Sequence, residues 1–493
     1  EQTSGGGGDS GGGGDSGDGG DTPPVPGPGP GPSNNNNNNN NSRNGISGPA
    51  PDIDFFMGIS TGDVFGPDSG AHACFGKEIS GGQQVATVGK FAKNNGQALS
   101  GFLLIANTPG SLSGYPWYES TGASGAGVSC TFTWDGNISW GTQFHEVGDY
   151  LFVAGTQGSK PVLHKVRKSD CTKEWTYKYK SGNSYGGFES ISPHGDDGLV
   201  VGGAVDMPEQ GSPLEGFKSA AQVSGGTAAL VYFTKDQLQS GTAPTTPHKV
   251  KTFAEYMSVI SVKYLAKDGA NDPGIVGVVS VQENQTADIG GTHAVLWAPD
   301  SGNNPARFVL PSQATDIAVA SNGKDMYVSG LGPPNVSGFA WKFQFDRSTT
   351  PAKFSQSWTK SLSPTAPGGF NQFKEVGVKW PVDVVYLNPE CWGIAIMPGD
   401  EEIVLACGVG IEPGEGYNGS DPRVTWRSWI PALDHRDGTV KWERHDSFQP
   451  GSKDDAAPET ASEFVTITGG RILSTKDQDF GVGLMRLAAP AQN

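Results

Sequence analysis

Four segments decide how this chain is read: Asp135-Gly-Asn-Ile-Ser-Trp140, Asp170-Cys-Thr-Lys-Glu-Trp175, Pro351 through Trp358, and Asp437-Gly-Thr-Val-Lys-Trp442. Each is a turn followed by a strand with tryptophan at nearly the same phase. An internal repeat of this kind outranks any local motif, because the fold follows from the repeating unit. Upstream of each turn lies an alternating strand, as in Val128-Ser-Cys-Thr-Phe-Thr-Trp134, Pro161 to Val166, Ala229 to Phe233, Ala294 to Trp297, Phe339 to Phe345, Trp429 to Leu433 and Val482 to Leu487. Before each comes a short apolar strand, often ending in Gly: Phe102 to Ala106, Leu151 to Gly155, Leu199 to Gly203, Ile275 to Ser280, Met326 to Gly330, Ile403 to Cys407 and Ile472 to Ser474. Such runs fit inner, fully buried strands.

Opening strands precede those, as in Phe188 to Ser192, Ala254 to Tyr264, Thr315 to Ala320, Val382 to Tyr386 and Glu463 to Ile467. Between them stand Asp196-Asp-Gly, Lys267-Asp-Gly, Ser321-Asn-Gly and Thr468-Gly-Gly, residues suited to hairpins that require positive φ. Four antiparallel strands repeated about seven times predict an all-β, seven-bladed β-propeller. The seventh unit runs out of chain after Leu487, so its outer strand is expected from elsewhere. Residues 52–81, with Phe55-Phe-Met-Gly and Ala73-Cys-Phe-Gly-Lys-Glu-Ile79, are the natural donor, closing the last blade and removing an exposed edge.

The strand, Asp-Gly turn and Val-x-Trp pattern resembles the quinoprotein-like propellers over roughly Gln83 to Leu487. Members of that group that bind pyrroloquinoline quinone carry a vicinal disulfide and a calcium site in the central funnel. This chain has no two adjacent cysteines, so the resemblance implies the fold without the quinone site. The tryptophans are read as anchors between sheets, where a large ring buries much apolar area.

Residues 1–51 differ in kind from residues 52–493. Two copies of Gly-Gly-Gly-Gly-Asp-Ser, a Pro-Gly stretch around Pro23-Pro-Val-Pro and an unbroken Asn34 to Asn41 run make a low-complexity segment. Such composition cannot offset its ordering entropy by burial and is expected to be a disordered stalk or linker. The chain begins with Glu without a basic-then-apolar leader, which reads as a mature form or a trimmed one. Asn-x-Ser/Thr sequons at Asn40, Asn137, Asn284, Asn335 and Asn418 suit a secreted or cell-surface glycoprotein. No apolar run approaches the length of a membrane span.

Five cysteines show no zinc spacing. Cys391 with Cys407 is expected as a disulfide across one hairpin, and Cys74 with Cys130 as a staple from the closing segment to the first blade, leaving Cys171 odd. A formal net charge of -17 argues against nucleic acid. The basic stretch Lys160 to Lys180 reads as a solvated blade face.

No catalytic set is assigned. Gly58-Ile-Ser-Thr-Gly62 matches the nucleophile-elbow string but not its strand-to-helix setting. Calcium is the one cofactor left open, at Asp196-Asp197, Asp434 with Asp437, or Asp477 with Asp479, and only if neighbouring blades add oxygens. Candidate ligand-binding residues are the loop aromatics Tyr115, Trp117, Tyr118, Tyr417 and Trp426, of a type that stacks on sugars or partner side chains. The leading function is a recognition scaffold for a protein or glycan. A self-assembling subunit of an extracellular filament or coat and a quinoprotein-like oxidoreductase are the alternatives.

Overall fold

The structure, a computed structural model, describes residues 50–51, 53–60, 71–93, 98–108, 127–136, 139–179, 185–195, 197–207, 226–281, 293–302, 305–332, 337–362, 385–412, 425–446, 462–478 and 481–488. The expected stalk of residues 1–49 lies outside them. A first strand, β1 (Ile53–Ser60), is followed by β2 (Ala71–Ile79), β3 (Gln84–Lys93), β4 (Ala98–Asn107) and β5 (Val128–Trp134), which form blade 1. Blade 2 is β6 (Trp140–Val147), β7 (Tyr150–Gln157), β8 (Lys160–Arg167) and β9 (Lys173–Lys178). Blade 3 is β10 (Tyr185–His194), β11 (Gly198–Met207), β12 (Thr227–Phe233) and β13 (Lys249–Phe253), with a short helix α1 (Lys235–Gln239) before its last strand.

Blade 4 is β14 (Tyr256–Leu265), β15 (Gly274–Val281), β16 (His293–Pro299) and β17 (Ala306–Leu310). Blade 5 is β18 (Gln313–Val319), β19 (Asp325–Gly332), β20 (Ser337–Asp346) and β21 (Lys353–Leu362), and blade 6 is β22 (Val385–Ile396), β23 (Glu402–Glu412), β24 (Thr425–Asp434) and β25 (Val440–Asp446). Blade 7 has only three strands of its own, β26 (Ser462–Thr468), β27 (Arg471–Gln478) and β28 (Gly481–Leu487). Its fourth is β1, antiparallel to β28 from Ile53 opposite Leu487 to Ser60 opposite Gly481. Seven blades of four antiparallel strands follow, as the repeat predicts.

The closing segment is shorter than expected. β1 completes blade 7, whereas β2 opens blade 1, pairs with β3 along its length and meets blade 7 at a single pair, Ala71 opposite Gln478 of β27. Blade 1 is therefore one strand out of step with the sequence reading: Phe102 to Ala106 sits in its third strand and Val128 to Trp134 in its fourth. Trp140 correspondingly begins the inner strand of blade 2, and Trp134 is the outer-strand tryptophan of blade 1. The error arose because two tryptophans, one on each side of the Asp135-Gly136 turn, present the same local pattern. Gly58 to Ser60, the described part of the nucleophile-elbow string, are extended backbone in β1.

Seven apolar clusters are buried, and each lies between two adjacent blades. Blades 1 and 2, for example, share Val88, Leu103, Trp134, Phe144, Leu151 and Val153. The core is thus a ring of interfaces, and closure buries the seventh, in which Phe91, Phe102 and Leu104 meet Leu473 and Leu484.

Every inner strand steps out of register at a residue that its second strand does not pair, Cys74, Thr142, Glu189, Ile260, Thr315, Trp392 and Glu463 in turn, and β10, β14 and β22 do so a second time nearer their start. A bulge of this kind turns the strand and releases polar groups from the ladder. Here those groups join neighbouring blades. The Thr142 hydroxyl donates to Phe188 O at 2.8 Å, and Gln143 Oε1 accepts from Ile191 N at 3.1 Å. Glu189 Oε1 accepts from the Ser258 hydroxyl at 2.5 Å. Buried Asp316 accepts from the Ser261 hydroxyl of blade 4 at 2.6 Å and from Ile394 N of blade 6 at 3.2 Å, so one carboxylate spans three blades. Thr466 of blade 7 donates to Gly76 O of blade 1 at 3.0 Å.

The glycines that end the apolar strands answer these bulges. A Cβ on Gly155, Gly203 or Gly330 would come within 1.9, 2.1 and 2.1 Å of Trp140 O, Gly187 O and Gln313 O, carbonyls just ahead of the bulge. In blade 6 the corresponding place is taken by Cys407, directly opposite Cys391 and disulfide-bonded to it.

A second set of contacts holds the rim. In blade 2 the Lys165 ammonium and the Trp175 indole both donate to Ser240 O of blade 3, at 3.1 and 3.0 Å. In blade 5 Lys342 and Trp358 do the same to His435 O of blade 6, at 3.1 and 3.3 Å. Both acceptors lie between the third and fourth strands of the next blade. Both lysines are buried, paired with Glu174 and Asp325 and set over the rings of Tyr150 and Tyr327. Lys160 to Lys180 is therefore not simply a solvated face, because Lys165 is 1% exposed.

Between blades 1 and 2 the same position is covalent. The disulfide joins Cys130 on β5 to Cys171 in the turn before β9, with Cα atoms 5.6 Å apart. Cys74 and Cys130 are not the pair, and Cys171 is not odd. Adjacent outer edges bring Cys130 and Cys171 together, whereas Cys74 is the bulge residue of the innermost strand. Between blades 7 and 1, buried Glu78 on β2 binds Arg486 on β28 at 2.9 Å and Arg471 on β27 at 3.0 Å, and Arg486 also reaches Asp54 on β1 at 2.6 Å.

Breaking a buried pair by removing one partner costs roughly 3–5 kcal/mol. Glu78→Gln is therefore expected to lower stability by about 3 kcal/mol in urea titration, well beyond an exposed control such as Glu255→Gln. Cys130→Ser with Cys171→Ser releases a cross-link over a sequence separation of 41, for which chain entropy predicts a loss of about 4 kcal/mol.

Candidate functional site

Antiparallel blades fix where each connection leaves the sheet. The second-to-third connections and the links between blades emerge at one end, and the first-to-second and third-to-fourth connections at the other. Five connections of more than ten residues belong to the first end: 208–226, 282–292, 363–384, 413–424 and 447–461. The opposite end has two, 108–127 and 234–248, and its first-to-second connections have two to five residues except 266–273, which has eight.

Of the sequence candidates, Tyr115, Trp117, Tyr118 and Tyr417 lie outside the described residues, as do the sequon asparagines Asn40, Asn137, Asn284, Asn335 and Asn418. Trp426 falls in β24, its backbone opposite Gly410. The strands bracketing the two aromatic groups terminate at opposite ends of the sheets: 108–127 joins third to fourth strand, 413–424 second to third.

A charged cluster that sequence reasoning did not find lies on the inner strands. Counting from the unpaired residue of each, the third place holds Lys77 in blade 1, His145 in blade 2 and Lys263 in blade 4. Blades 1 and 4 are three steps apart around a ring of seven, so residues there can meet only across the centre. They do interact: burial, and then the charge of Lys263, pull the Lys77 ammonium below its usual range. Burial, and then Lys77, hold His145 at about 4, against a weaker upward pull from Glu146 and a further downward one from Lys263. Glu146 is already engaged, accepting from Lys168 Nζ at 2.6 Å and from Ser80 N at 3.2 Å. The signal in the sequence is a Lys or His at one fixed distance past the bulges of blades 1, 2 and 4, visible only once the bulges are aligned.

Two other histidines are wholly buried between blades. His164 Nδ1 meets the Thr176 hydroxyl at 2.8 Å beside Trp134, and burial with Lys173 and Lys178 holds it at about 3. His293 Nδ1 lies 2.9 Å from Ala314 O and 3.1 Å from Ala314 N, and burial holds it at about 4.

Among the described residues no group of three or more His, Cys, Asp or Glu side chains is placed to hold a metal ion. Asp197 accepts from Lys235, and Asp434 is bound by the Arg436 guanidinium at 2.6 Å, which holds its carboxyl well below the usual range. Asp196 and Asp479 lie outside the described residues. No described helix is long and apolar enough to cross a membrane.

No known protein family matches the chain, and no curated protein does. Solved structures do. The Dos1 propeller superposes with a TM-score of 0.45 at 7% identity, over 88% of this chain and 95% of that one. Hydrazine synthase from Kuenenia stuttgartiensis gives 0.45 at 10% identity, over 90% and 98%. BamB from Moraxella catarrhalis gives 0.35 at 9%, over 85% and 100%. Likenesses this distant say nothing about what the chain binds.

The buried histidines make stability depend on pH. Each is neutral in the folded chain and titrates near 6.5 when unfolded, so the unfolded state binds more protons between those values. The stability they contribute is complete above about pH 6.5 and is lost as pH falls toward 4. For His293 the shift corresponds to about 3 kcal/mol. Urea midpoints measured from pH 7.5 to 4.5 should fall steadily, and His293→Asn, which keeps a hydrogen-bonding atom near Nδ1, should flatten the profile while lowering stability at pH 7.5.

Proposed function

We propose that this protein is a secreted or cell-surface glycoprotein whose propeller is a non-catalytic recognition scaffold for a protein or glycan partner. The observation that carries this reading is the asymmetry of the ring. A stack of interlocked blades presents five long connections at one end, and long connections on a rigid scaffold are where binding residues concentrate. Two disulfides support an oxidising compartment, since such bonds are rare in reducing cytosol. The five sequons and the net charge of -17 agree with it.

Tyr417 falls in the connection 413–424 and Trp426 in β24 just after it, and these two are the aromatic contacts assigned to the partner. Tyr115, Trp117 and Tyr118 belong to the connection at the opposite end and provide the control. Aromatic residues central to an interface commonly account for more than 1 kcal/mol each. Glycan-array and extracellular-protein binding by the chain produced in a secretory host should lose at least about tenfold on Tyr417→Ala with Trp426→Ala, which corresponds to about 1.4 kcal/mol. Trp117→Ala should leave binding unchanged. Loss with Trp117→Ala alone would move the site to the other end, and retention in both variants would remove the aromatic reading altogether.

A further inference from the structure

Lys77, His145 and Lys263 set like charge at one level of the inner strands. Two ammonium groups on opposite sides of the ring repel one another inside a partly desolvated space, and no carboxylate among the described residues is ion-paired with either. Elsewhere the chain pairs its buried lysines with care, as Lys165 with Glu174 and Lys342 with Asp325 show. The remaining places at the same level hold Ser192, Ala318, Ala395 and Thr466, none of them charged. Glu146, the acid whose charge acts on Lys77 and His145, is engaged by Lys168 and the Ser80 amide. A chain of net charge -17 thus concentrates unpaired positive charge at its centre. Charge of one sign walled by low-dielectric protein focuses field on the channel and attracts the opposite ion.

We propose that Lys77, His145 and Lys263 form a binding site in the central channel for a compact oxyanion carrying at least two negative charges, a phosphate or a polycarboxylate. The two ammonium groups neutralise it from opposite sides, and the imidazole donates a hydrogen bond. The site lies toward the ends of the inner strands that lead into the first-to-second connections, away from the five long connections. It is independent of the partner proposed above and stands or falls separately from it.

The proton balance gives a specific readout. The groups facing His145 are Lys77, Lys263 and Glu146. An anion offsets the two lysines, so the imidazole takes up a proton more readily in the complex than in the free chain. Binding below neutral pH is therefore accompanied by proton uptake, seen as a dependence of the titration heat on the ionisation enthalpy of the buffer.

The test titrates the full chain with sodium phosphate and, separately, sodium citrate at pH 6.0, holding ionic strength constant with sodium chloride, while melting is followed in parallel. Saturable binding of either anion, with a rise in Tm beyond the chloride control, is expected, and which anion binds distinguishes the two chemistries. Lys77→Met and Lys263→Met should each raise Tm without anion by relieving the repulsion, and each should weaken binding about tenfold or more, as loss of a charge-assisted hydrogen bond does. His145→Gln should keep measurable binding and abolish the proton uptake. The proposal is overturned if neither anion stabilises the chain more than chloride does. It is equally overturned if binding persists undiminished in the Lys77→Met, Lys263→Met double variant.

Discussion

A ring of blades holds only if each sheet is bonded to both neighbours, yet a regular strand spends its backbone groups on its own sheet. The unpaired residue in every inner strand resolves this conflict. By stepping out of register, the inner strands free hydroxyl, amide and carboxylate groups to reach the next blade near the axis. Asp316, shared among three blades, is the fullest instance. The glycines opposite the bulges, the disulfide that replaces one of them in blade 6, and the placement of the channel cations all follow from that irregularity.

The rim solves the same problem by different chemistry in different blades. Blade 1 uses a disulfide, blades 2 and 5 a lysine and a tryptophan on one carbonyl, and blade 3 the ammonium groups of Lys249 and Lys251 on Asp300 O and Pro299 O. All four grip the connection between third and fourth strands of the next blade. A covalent bond and a charge-assisted pair thus occupy equivalent structural positions.

Much of the fold was legible because alternation, buried apolar runs and turn residues recur together, and the tryptophan of the outer strand marks the phase. Trp175, Trp358 and Trp442 do lie on outer strands. Blade 1 was misread because Trp134 and Trp140 straddle one turn and only pairing decides which belongs to which sheet. The cysteine partners were not legible either, since Cys130 and Cys171 are neighbours by virtue of adjacent blades, a relation absent from spacing along the chain. The channel cluster escaped for the same reason: Lys77, His145 and Lys263 are far apart in sequence and meet only through the ring's symmetry. The loop aromatics were found by composition, which is blind to the end of the sheet from which a connection leaves.

Glu78 and Arg486 are 408 residues apart, yet they meet in the same ion network as β1. During synthesis, blades 1 to 6 can be assembled while β1 has no strand to lie against and β2 has an uncovered face. β1 must therefore remain unassociated until β28 is complete, then find it over a very long loop. For most of its biogenesis the molecule is an open arc with two adhesive ends, and its yield depends on whatever keeps those ends apart until the last blade arrives.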